Sequence, residues 1–166
     1  MATAALITWI ITAGFGFFML STWLSHGGAR AGSGAGNAGA ATHFPPAAVF
    51  AHALLAAAGL VVWIIYLLGN SRTLAWVAFA DLVVVAGIGD VLVLRWRKDR
   101  VGAPPAAGVR TGRRGAEGSA DSTSRGTSGV ALAEQRIPTA AVVAHGIFAV
   151  TTVVLVLVTA LRAGSG

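Results

Sequence analysis

The chain has 166 residues, 55% of them hydrophobic and 11% charged, with no cysteine and a net charge of +6. Soluble domains carry about 25% charged residues. This composition, with a mean hydropathy of +0.75, therefore describes an integral membrane protein, and at this length no separate soluble catalytic domain is expected. The missing thiols exclude disulfides, iron–sulfur ligation and thiolate metal sites. The positive charge gathers in one loop without interleaved aromatics, which speaks against a nucleic-acid partner.

Crossing a bilayer takes about 20 apolar residues, and four stretches are long enough. The first, Ala4–Leu24, lacks a basic leader and is too long for a signal peptide, so it is read as a helix of the mature protein. It carries Ala13-Gly14-Phe15-Gly16, with Trp23 near its end. Ser25–Thr42 is mostly Gly and Ala and reads as a flexible linker. The second helix, Pro46–Leu68, opens on Pro45-Pro46, the expected place for proline, and contains His52. The connection Gly69–Arg72 is so short that helices two and three must be antiparallel neighbours. The third helix, Thr73–Leu94, carries Asp81, Ala86-Gly87-Ile88-Gly89 and Asp90, with Trp96 just beyond. Lys98–Arg136 is polar, basic and rich in Gly, Ser and Arg, and is expected to be disordered. The fourth helix, Pro138–Leu161, contains His145.

The second and fourth helices start alike. Residues 45–56 read PPAAVFAHALLA and residues 138–149 read PTAAVVAHGIFA. In helices one and three, the Gly-X-Gly pairs precede Trp23 and Trp96 by the same interval. The expected architecture is therefore an all-α integral membrane four-helix bundle, a single domain over residues 1–166 built from two tandem two-helix repeats.

Ten of the twelve Lys and Arg residues lie in the first and third loops. The positive-inside rule then places both large loops in the cytoplasm and both termini outside, in the cell membrane. Trp23 and Trp96 are expected in the aromatic belt at the cytoplasmic boundary.

His52 and His145 each follow their proline by seven residues, about 10 Å inside that boundary at 1.5 Å per residue. An ionisable residue at such depth marks a functional site by default. Alanines flank both on the same helix face: Ala48 and Ala56, and Ala141 and Ala149. Gly59 and Thr152 continue this small face. Gly14, Gly16, Gly87 and Gly89 fall at the same depth. In an up-and-down bundle helices two and four are diagonal, so the two imidazoles can point at each other and share one metal. Neutral imidazole suits iron, zinc, copper and nickel, and a glycine-lined gap suits a haem.

This layout resembles the haem-binding bundle of cytochrome b-type proteins, in which helices two and four supply axial histidines and glycines of helices one and three make space. The resemblance implies axial roles for His52 and His145, clearance roles for Gly14, Gly16, Gly87 and Gly89, and haem b as cofactor. Cytochrome b carries a second histidine further along each helix; Ile65-Tyr66 and Val158-Thr159 stand there in this chain, which limits it to one haem. The chain also resembles the small, Ala-rich four-helix membrane proteins of actinobacteria, a likeness that implies no mechanism.

Two acids complete the set. Asp90 can orient an imidazole or pair with Arg97; Asp81 can bond Thr8 or Thr12 or relay protons. His26 and His43, in or beside the first loop, read as solvated histidines that can also pair around a peripheral metal. Three functions stay open: a single-haem cytochrome for electron transfer or haem sensing with a membrane or redox partner, a non-enzymatic packing or assembly protein, and a small proton or metal transporter.

Overall fold

The computed structural model describes residues 1–29, 42–101 and 132–163. Four helices make up most of them: α1 (Ala2–Ser25), α2 (Pro46–Gly69), α3 (Arg72–Val101) and α4 (Thr139–Arg162), with a 3-10 turn at Ala133–Arg136 leading into α4. Each is long and apolar enough to cross a membrane. A 24-residue helix spans about 36 Å, against about 30 Å of bilayer hydrocarbon. The chain is an all-α, four-helix, multi-pass membrane protein.

Local chemistry sets the helix limits. Pro46 sits in the first turn of α2, where its missing N–H costs nothing, and Pro138 directly precedes α4. Asn70 ends α2 in the left-handed conformation, φ 51°, with its N–H on the Tyr66 carbonyl at 2.7 Å. Asparagine tolerates that conformation, and α3 starts two residues later.

The helices pack as neighbours α1–α4, α2–α3, α3–α4 and α1–α2, which leaves α1 and α3 diagonally opposed, and α2 and α4 likewise. Two cores close the two ends of the bundle. At the end with the tight turn, Trp9, Trp63, Tyr66, Leu82 and Val156 interlock, with Trp63 and Tyr66 ring centres 4.7 Å apart. At the loop end, Trp23, Phe44, Trp96, Ala133 and Ile137 form the second core. Ile7, Phe17, Leu54, Leu68, Val83 and Val150 face outward. That is the surface of a bundle whose outside solvent is lipid tails.

Two expectations change here. Trp23 and Trp96 are 1% and 8% exposed and belong to the loop-end core rather than to a lipid-facing belt. Their indoles are drawn inward because residues 42–44 and 132–137 fold over the helix ends and offer them apolar surface. The stretch expected to be disordered is ordered at both ends: α3 runs on to Val101, and Ala133–Arg136 is a helical turn with Glu134 buried. The rest of that stretch, 102–131, and most of the first linker, 30–41, lie outside the described residues.

Candidate functional site

Between the two cores lies a layer of two histidines and two glycines. The His52 Nδ1–H on α2 donates to the Val85 carbonyl of α3 at 3.0 Å. The His145 Nδ1–H on α4 donates to the Thr12 carbonyl of α1 at 3.0 Å. A carbonyl only accepts, so these bonds place the proton on Nδ1 and leave the Nε2 lone pair of each neutral ring free. The ring centres are 6.2 Å apart, their planes inclined at 54°.

Glycine explains how each imidazole reaches a carbonyl already used by its own helix. Gly89 and Gly16 stand four residues after Val85 and Thr12, so their N–H groups take the first lone pair of those carbonyls. A side chain at this position would crowd the ring that takes the second lone pair. A Cβ on Gly89 would lie 3.0 Å from His52 Cε1, and one on Gly16 3.2 Å from His145 Cε1. The bare backbone therefore serves as the seat of each ring. The contacts are crosswise: each histidine is held by the helix of the other half of the chain, at positions that match in the sequence.

The other two predicted glycines are elsewhere. Gly14 and Gly87 are exposed, and a Cβ on either would meet nothing within 4 Å. Two residues along a helix is about 200° of rotation, so Gly14 and Gly87 turn away from the rings that Gly16 and Gly89 touch. Gly14 instead lines an apolar groove between α1 and α4, with Phe15, Phe18 and Ala144.

Asp90 is exposed, in keeping with the alternative of reaching the interface, and the imidazole nitrogens it could have oriented are held by main-chain carbonyls. Asp81 does not bond Thr8 or Thr12. Their hydroxyls donate back to the carbonyls of Ala5 and Thr8. The Asp81 carboxyl lies over Gly59 and beside Trp9. Its Oδ2 is buried without a hydrogen-bond partner among the described residues. Across the bundle, the positions matched to Asp81 and Gly59 are Thr8 and Thr152, whose hydroxyls lie 3.0 Å apart.

His26 and His43 do not meet. His26 Nδ1 bonds the Thr22 carbonyl at 2.7 Å and stays with the end of α1. His43 binds Asp99 Oδ1 through Nδ1 at 2.8 Å, and its backbone N–H donates to Glu134 Oε1 at 2.7 Å. Sequence reasoning passed over Asp99 and Glu134. The available signal was the short apolar run Val130–Ala133, just before Glu134 in an otherwise polar segment.

No family model matches the chain, and no match was found among curated proteins or solved structures.

Proposed function

We propose that this membrane protein holds a single haem b between His52 and His145 and passes electrons through it. The observation that carries the reading is the paired imidazole geometry. Two imidazoles that shared one metal through bonds of about 2.0–2.1 Å would bring their ring centres to about 6 Å of each other. The centres here are 6.2 Å apart. Both Nδ1 atoms are engaged by carbonyls, the usual support for a ligating histidine, and both Nε2 atoms keep their lone pairs. A haem bound there would be held by His52 and His145 and would supply one-electron chemistry.

The chain's own residues do the rest. The Val85 and Thr12 carbonyls fix the rings and make them better donors. Gly89 and Gly16 let the rings lie against the backbones of α3 and α1, the two diagonal helices that flank the pair. The aromatic cores lie on either side of the layer. The repeat that the sequence suggests then has a purpose, since two similar units supply one ligand and one seat each. By its charge, the loop end of the bundle lies on the cytoplasmic side.

The test is an absorption spectrum of the protein expressed with haem supply and purified in detergent. The expected result is one haem per chain, with a Soret band and sharp α and β bands on reduction. His52→Ala and His145→Ala should each abolish the low-spin spectrum. Protein that stays colourless when reconstituted with hemin, or variants that keep a six-coordinate spectrum, would overturn the reading.

A further inference from the structure

We propose that His43, Asp99 and Glu134 form a divalent metal site of the zinc class at the loop end of the bundle. The site is separate from the histidine pair and independent of the haem reading. One ligand atom from each residue lies within 4.8 Å of the other two. They come from three elements: the segment before α2, the last turns of α3 and the 3-10 turn before α4.

Charge and burial suit a cation at this position. Glu134 is 0% exposed, yet its Oε2 has no hydrogen-bond partner among the described residues. Asp99 Oδ2 is buried and unpartnered in the same way. Buried carboxylates are normally paired or bound to metal. Two neighbouring arginines bond elsewhere: Arg100 donates to the carbonyls of Gln135 and Ile137 and to Thr139, and Arg95 to the His43 carbonyl. The ion pair recorded for these acids is His43 with Asp99. A divalent ion between the three groups would give the two unpartnered oxygens, Glu134 Oε2 and Asp99 Oδ2, a positive partner.

The ligand chemistry selects the ion. One imidazole nitrogen and two carboxylate oxygens suit zinc or a neighbouring transition ion, with water completing the shell, while an imidazole disfavours magnesium and calcium. The His43 ring is 56% exposed, so it is free to adjust and leaves a path for entry. The ion would clasp the starts of α2 and α4 to the end of α3.

The experiment uses the full chain in detergent, stripped with chelator and titrated with Zn²⁺ by calorimetry, with Co²⁺ absorption as a second readout. One ion per chain is expected. Loss of an outer support typically weakens metal sites about 10–100-fold, so loss of a direct ligand in His43→Ala should weaken binding by at least about tenfold. His43→Ala removes an exposed ring and should fold, as circular dichroism will show; Glu134→Gln tests the buried ligand. Zn²⁺ should raise the melting temperature of the parent chain and not that of His43→Ala. A His52→Ala/His145→Ala variant should still bind the ion. The proposal is overturned by absence of saturable binding, by unchanged binding in His43→Ala, or by loss of binding only when the His52–His145 pair is removed.

Discussion

His52 rests on Gly89: the imidazole Cε1 would be 3.0 Å from a Cβ at that position. The same contact recurs between His145 and Gly16, at 3.2 Å. A one-carbon addition separates the roles of the four glycines. Gly89→Ala and Gly16→Ala should push the rings off their carbonyls and lower the melting temperature. Gly14→Ala and Gly87→Ala meet open space and should be neutral or stabilising, by up to about 1 kcal/mol from helix propensity. Thermal denaturation in detergent measures all four; equal effects at the two sets would contradict the assignment.

Asp81 and Gly59 make a second prediction. A Cβ at Gly59 would collide with the Asp81 carboxyl and come within 3.1 Å of Trp9. Gly59→Ala should therefore destabilise the bundle, and Asp81→Ala should remove much of that penalty in the double variant. Alone, Asp81→Ala should stabilise, because it deletes a buried unpartnered oxygen whose cost is about 1–3 kcal/mol. A double-mutant cycle gives the coupling. An additive result would mean the two side chains do not compete for one space.

Thr42 ties the first linker to the bundle. Its hydroxyl oxygen accepts from the Trp23 indole N–H at 3.0 Å and from the Phe44 backbone N–H at 3.0 Å. Thr42→Val keeps the shape and leaves both donors without that acceptor, for a loss of about 1–3 kcal/mol. Thr42→Ser should retain most of the stability. Chemical denaturation of the three proteins checks this, and a Val variant as stable as the parent would contradict it.

Orientation is open to direct labelling. The chain has no native cysteine, so Ser119→Cys reports the side of the third loop alone. With the loop in the cytoplasm, an impermeant maleimide should label it only after the cells are lysed. Labelling in intact cells would reverse the assignment.

Much of this protein is legible in its sequence because its solvent is lipid. Four apolar runs of bilayer length, with proline starts and a four-residue turn, leave little choice but a bundle, since backbone groups in hydrocarbon must bond within their own helix. The matched positions of His52 and His145 were visible for the same reason, an ionisable group standing out against an apolar run. The tertiary structure decided what each of these groups touches. Only the crosswise packing of α2 on α3 and α4 on α1 shows that Gly16 and Gly89, and not Gly14 and Gly87, seat the rings. A Gly-X-Gly pair puts two glycines on opposite sides of a helix, and sequence spacing does not say which side faces the neighbour. Likewise, His43, Asp99 and Glu134 are scattered over 92 residues, and no local pattern joins them. They meet because the chain before α2, the end of α3 and the turn before α4 all return to one end of the bundle, where the buried surfaces of Trp23 and Trp96 hold them together.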